Sequence, residues 1–133
     1  MLFVAAAIIL DGEGRILICR RGPGGNCAYL WEFPGGKLET GESPEACVQR
    51  ECREELEVEL RLTGVFDEFV FEYPDREISF TFFKAEIAGG QLRLNVHEDA
   101  RWVFLSELPQ YEFCPADKRI IEKLKSRAGG IPT

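Results

Sequence analysis

Apolar residues run almost unbroken from Leu2 to Leu10, stop at Asp11-Gly12-Glu13-Gly14, and resume between Arg15 and Arg20. Turn residues between two apolar runs predict a β-hairpin, which leaves Arg20 and Arg21 at a strand end. Gly22 to Asn26 holds three glycines and a proline and predicts a loop. Tyr29 to Phe33 resumes an apolar and aromatic pattern and ends at a predicted turn, Pro34-Gly35-Gly36. Ser43-Pro44 is a helix start, because serine accepts from free backbone N–H groups and proline lacks a donor where none is needed. That helix is expected from Pro44 to about Glu57. Val48, Cys52 and Leu56 form its apolar stripe, and Glu51 and Glu55 lie beside the stripe.

Beyond the helix, Leu60 to Val65, Phe66 to Tyr73, Glu77 to Ile87 and Ala100 to Leu105 are rich in β-branched and aromatic residues and read as strands. Turns are expected at Pro74-Asp75 and Gly89-Gly90. Pro115 to Lys125 reads as a closing helix, with Ile120, Ile121 and Leu124 at helical spacing. The order of elements predicts a mixed sheet with helices on its faces. The expected organisation is a single domain over 1–128 with a fraying tail at 129–133.

Composition narrows the partners. A net charge of −7 and a pI near 4.8 argue against a nucleic-acid polymer or an anionic membrane surface, both of which select excess Lys and Arg. Five cysteines without a C-x-x-C pair fit reduced thiols and a cytoplasmic location better than a disulfide framework or a zinc site. The apolar start is too short to span a bilayer and lacks the features of a signal peptide.

The chemistry concentrates on the first helix. Glu51, Glu54 and Glu55 fall within about one turn of Arg50, and like charges on one helix face cost roughly 0.2–0.5 kcal/mol per pair unless a positive group sits among them. A divalent cation answers that cost. Gly22 to Gly25 lacks the Lys-Ser/Thr of a P-loop and reads as a plain flexible loop instead of a phosphate cradle.

Gly36, Glu42, Arg50, Glu51, Cys52, Glu54, Glu55 and Val58 occupy the spacing of the Nudix box, so the chain resembles the Nudix hydrolases. Two positions depart from the pattern. Cys52 stands where the box has an aliphatic residue, which a small buried thiol can replace. Glu57 stands where a glycine normally ends the helix in a left-handed conformation, so the helix is expected either to run one turn longer or to strain at Glu57. The segments Trp31 to Gly36, Phe71 to Arg76 and Phe113 to Asp117 resemble the MutT branch and its CTP-pyrophosphohydrolase relatives.

The resemblance implies an α+β Nudix fold, an α/β/α sandwich with a mixed sheet and the box loop-helix-loop. It implies Mg2+, with Mn2+ as a possible substitute, and a nucleoside triphosphate substrate split into monophosphate and pyrophosphate by water attacking the β-phosphorus, for a monomer or homodimer. Mg2+ accepts few protein oxygens and keeps waters and phosphate oxygens. By resemblance, Glu51 and Glu55 are its ligands, with the carbonyl of Gly35 beside them. Glu54 holds a second ion or orients water, Arg50 pairs with a box carboxylate, and Glu42 ties loop to helix. Glu98 resembles a further family carboxylate, ligand or base, and is otherwise a solvated loop acid. His97 reads as an ordinary loop residue.

For the base, Arg21 and Phe33 match a nucleotide-contacting arginine and an aromatic lining the base site, against a surface arginine and a core phenylalanine. Arg76 is a further candidate, otherwise a turn arginine. Asp117 stands where enzymes selective for oxidised guanine carry asparagine. An ionised aspartate only accepts, which suits cytosine N4, whereas a protonated one can donate to a purine carbonyl. Alternatively, Asp117 is a helix N-terminal cap. Hydrolysis of ADP-ribose or another nucleoside diphosphate derivative, and a non-catalytic nucleotide-binding module, are the competing functions.

Overall fold

The computed structural model describes residues 1–127, so the expected tail at 129–133 lies outside the described residues. Strands β1 (Leu2–Ile9), β2 (Ile16–Arg20), β3 (Trp31–Glu32) and β4 (Gly35–Lys37) precede helix α1 (Pro44–Leu56). Strands β5 (Val58–Tyr73), β6 (Arg76–Gly90) and β7 (Asp99–Val103), a 3-10 helix (Leu105–Gln110) and helix α2 (Pro115–Ser126) complete the fold.

β1 decides the architecture. Its residues are buried on both faces, so it needs a strand on each side and a helix layer above and below. It lies between β4, antiparallel, and β6, parallel, in a mixed four-stranded sheet ordered β4-β1-β6-β5. Ala5, Ala7 and Ile9 face one core, with Val48, Cys52 and Leu56 of α1. Ala6 and Ile8 face the other, with Phe33, Phe82 and the α2 residues Ile120, Ile121 and Leu124. This is the expected helix-sheet-helix sandwich.

Several local expectations change. The first two strands are not a hairpin: a turn closed by Asp11 N donating to Arg15 O and a bridge at Leu10 and Ile16 join them, and then they part. β2 enters a second, antiparallel sheet ordered β3-β2-β7, because both flanks of β1 are taken. Pro34-Gly35-Gly36 is not merely a turn, since Gly35–Lys37 pairs with Ala6, Ala5 and Val4 as an edge strand. The two strands expected between Leu60 and Tyr73 are one, β5, whose register shifts three times against β6. Gly89 and Gly90 lie inside that ladder, opposite Glu59 and Val58.

Helix α1 starts as expected, with Ser43 Oγ accepting from Ala46 N at 3.1 Å. It stops at Leu56, and Glu57 takes the left-handed conformation with φ 59° and ψ 35°. Strain at Glu57, not an extra turn, is therefore the outcome. A side chain there costs about 1 kcal/mol relative to glycine. Glu57→Gly is expected to raise the urea midpoint; a lower midpoint would mean that the exposed side chain compensates for its backbone.

Candidate active site

Arg50 gathers the carboxylates of the box. Its Nε and Nη2 donate to Glu42 Oε2 and Oε1 at 2.7 and 2.9 Å, its Nη1 to Glu51 and Glu54 at 2.8 and 3.0 Å, and its Nη2 also to Lys37 O at 3.1 Å. The two-pronged bond to Glu42 is the strongest geometry of the set. It holds Glu42 down to about 2, and Glu42 Oε1 also accepts from Glu39 N. Glu42 thus ties the loop before α1 to the helix, and Arg50 meets three box carboxylates where the resemblance implies one.

The box glycines are required by close approach. A Cβ on Gly35 would lie 2.6 Å from Cα of Ala6, and one on Gly36 would lie 2.8 Å from Glu51 Oε1. Only bare backbone lets β4 lie against β1 while Glu51 packs onto it. Burial raises Glu51 above the ordinary carboxylate range, with Arg50 opposing. Glu54 is the exposed member of the set, its side chain 60% accessible.

Glu55 lies deeper. Its Oε1 is buried with no partner, and burial pushes its carboxyl up to about 7, with His97 opposing and Glu51 adding to the rise. A buried carboxylate oxygen without a partner is costly unless a proton or cation meets it. The residues therefore fit a hard divalent ion. Among the described residues, no three His, Cys, Asp or Glu side chains already converge on one point. Two carboxylates plus a backbone carbonyl suit an ion that retains waters and phosphate oxygens.

Glu98 lies outside α1, beside the end of β2 and the loop that follows it. It is exposed on the segment between β6 and β7, its N donates to Arg20 O at 3.0 Å, and its Cγ lies 3.8 Å from where Gly22 would carry a Cβ. The same segment is latched to the end of α1. Asn95 N donates to Glu55 O at 3.0 Å, and Asn95 Nδ2 donates to Glu54 O at 2.9 Å, filling carbonyls that a helix end leaves open.

His97 is not an ordinary loop residue. Its side chain is 2% exposed, and its Nε2 lies 2.9 Å from Glu32 Oε2. Glu32 Oε1 accepts from Arg21 Nη1 at 3.0 Å. Sequence reasoning missed Glu32 and Asn95. A charged residue set between Trp31 and Phe33 was the one available signal for Glu32; nothing local marks Asn95.

A cavity of about 450 Å³, within the range of small-molecule sites, brings together Arg21, Phe33, Arg76 and Asp117, with Gly35 and Gly36 also in its lining. The Phe33 ring packs in the core against Phe82 and Phe113 and also lines the cavity. Arg76 is exposed at the turn between β5 and β6. Asp117 is not the helix cap. Cys114 takes that position, with Pro115 beginning the helix, and Asp117 sits within the first turn. Its Oδ1 accepts from Phe33 N at 3.0 Å. Burial pushes its carboxyl up to about 8, with the Phe33 N–H opposing.

All five cysteines are free, and among the described residues no helix is long and apolar enough to cross a membrane. Residues 2–124 match the NUDIX domain family. The 8-oxo-dGTP diphosphatase of Escherichia coli (strain K12) is 36% identical over 124 residues, which cover 93% of this chain and 96% of that protein. The CTP pyrophosphohydrolase of the same strain is 34% identical over 132 residues, covering 99% of this chain and 97% of that protein. The solution structure of the E. coli ORF135 protein superimposes with a TM-score of 0.81 at 32% identity, covering 100% of this chain and 94% of that one.

Proposed function

Since the chain belongs to the Nudix family and is a hydrolase of phosphoanhydrides, we propose that it is a Mg2+-dependent nucleoside triphosphate pyrophosphohydrolase that clears oxidised guanine nucleotides from the cytoplasmic pool. The observation that supports this most is Asp117. It lies buried in the cavity wall, where burial raises its carboxyl to about 8, and in this reading it carries a proton at neutral pH. One oxygen accepts from Phe33 N. The protonated group then has a hydrogen to donate, which suits a purine carbonyl and not the amino group of cytosine.

Cytosine triphosphates are the second reading, supported by the CTP pyrophosphohydrolase relative, which aligns over nearly the whole chain. They would require Asp117 ionised. A carboxylate reads cytosine N4 as an acceptor.

In this reading Arg21, Phe33, Arg76 and Asp117 bind the nucleotide. Glu51, Glu54, Glu55 and Glu98, with the carbonyl of Gly35, hold the cation. Bound there, the ion neutralises phosphate charge and acidifies water. Arg50 keeps Glu51 and Glu54 oriented. The role assigned to the exposed Glu54 and Glu98 is to take the proton from water as its oxygen bonds to the β-phosphorus. The bridge from that phosphorus to the α-phosphate oxygen breaks, releasing monophosphate and pyrophosphate.

Pyrophosphate release from 8-oxo-dGTP, CTP, dCTP and 5-methyl-dCTP, with Mg2+ or Mn2+, tests the reading, with AMP release from ADP-ribose in parallel. The expected order is 8-oxo-dGTP first. Failure on every triphosphate would end this proposal, and turnover of ADP-ribose alone would replace it.

A further inference from the structure

The described residues contain three buried side-chain nitrogen or oxygen atoms without a hydrogen-bond partner: Arg21 Nε, Glu55 Oε1 and His97 Nδ1. Arg21 and His97 are joined through one carboxylate, and Glu55 adjoins the segment that carries His97. Glu32 has both oxygens engaged, Oε1 by Arg21 Nη1 at 3.0 Å and Oε2 by His97 Nε2 at 2.9 Å. The side chains grow more buried along this line, at 40% exposed for Arg21, 16% for Glu32 and 2% for His97. Arg21 lines the cavity, whereas His97 does not.

The Arg21 guanidinium makes a single side-chain hydrogen bond in this arrangement, to Glu32. Its aim therefore depends on where Glu32 is held. Glu32 lies on the two-residue strand β3, opposite Cys19 of β2, and its second oxygen is fixed by His97. His97 in turn rides on a segment anchored at Asn95 to the end of α1 and at Glu98 N to Arg20 O. A packing role alone would be met by an apolar side chain. A buried imidazole with an unpaired nitrogen is the costlier choice and calls for another reason.

We propose that His97 is a positioning residue that aims Arg21 at the nucleotide by clamping Glu32. Because an ionised carboxylate only accepts, His97 donates from Nε2. The clamp runs from the segment latched to the carboxylate helix to the arginine at the cavity, so it sets the nucleotide's distance from the carboxylates. This rests on the function proposed above, in which Arg21 meets the substrate.

His97→Leu keeps the volume and removes the hydrogen bond, and His97→Gln restores a donor at similar reach. With 8-oxo-dGTP and Mg2+, H97L is expected to raise KM by roughly tenfold with kcat within about threefold of wild type. H97Q is expected to recover most of the loss. In an Arg21→Ala background H97L should add nothing further, because its route to the substrate is gone. A readout without substrate accompanies the kinetics. The 15N resonance of Arg21 Nε in nucleotide-free protein should shift toward that of a solvent-exposed arginine in H97L and in Glu32→Gln, and return in H97Q.

An unchanged Arg21 resonance in H97L overturns the proposal, and so do effects of H97L and R21A that multiply. If wild type splits no triphosphate, the functional reading fails separately, and the resonance still decides whether His97 holds Arg21.

Discussion

Glu55→Gln is expected to reduce pyrophosphate release by roughly a thousandfold while making the metal-free protein more resistant to heat. The two effects have one origin. Glu55 carries a buried oxygen with no partner, and burial has raised its carboxyl to about 7. Without a cation, ionising that group costs folding energy, and a neutral amide of the same shape avoids the cost. With Mg2+ the order should reverse. Wild type gains stability from any ligand that binds only its folded form, whereas the variant has lost a charged ligand and gains less. Melting both proteins in EDTA and in Mg2+, beside the turnover assay, checks this. Full activity in the glutamine variant would remove the metal role of Glu55, and a lower melting temperature in EDTA would mean that the carboxylate is stabilising as it stands.

At Asp117 the expected result is a pH profile whose direction names the base. If the protonated carboxyl donates to an oxidised purine, kcat/KM for 8-oxo-dGTP falls as pH rises through about 8. If the ionised form accepts from cytosine, kcat/KM for CTP rises through the same region. Asp117→Asn keeps a donor and an acceptor at every pH, so it should flatten that limb for 8-oxo-dGTP. Asp117→Ala should lose about a hundredfold or more, because a site that bonds a polar edge is left unpaired. Stability supplies an independent check. The folded carboxyl is raised from the ordinary 3.8 to about 8, so its contribution is fully present below the lower value and is lost as pH rises through the upper one. D117N should therefore gain on wild type in melting temperature as pH goes from 5 to about 9. A constant difference would mean that the group does not titrate in this range.

Features governed by local spacing were legible in the sequence. Ser43-Pro44 placed the start of α1, Val48, Cys52 and Leu56 placed its buried face, and the glutamates beside that face were found where expected. The alternative at Glu57 could be stated but not decided, since a left-handed residue depends on the direction in which the chain leaves the helix. Features governed by distant partners were not legible. Nothing in Leu2 to Leu10 says that its neighbours are Gly35–Lys37 and Ile78 to Ala85 and not the strand directly after it. The pairing of Glu32 with His97 joins residues far apart in the chain and has no periodic signature. Asp117 was legible as a choice between cap and base reader. The cap alternative fell to Cys114, which takes that position and leaves Asp117 inside the first turn of the helix.

The parallel pairing of β1 with β6 also governs the order of assembly. The central strand β1 is made before α1 and β5, yet its long partner β6 lies beyond both, so the main sheet closes only after a large loop has been drawn in. The pairing with β4 and the docking of α1 on the Ala5 and Ala7 face need far less chain. On a ribosome the acidic helix can therefore find its seat while α2, with the buried aspartate of the cavity, is still unmade. If the proposed roles hold, the α1 side chains for the ion are seated in the growing molecule before the one that reads the base is made.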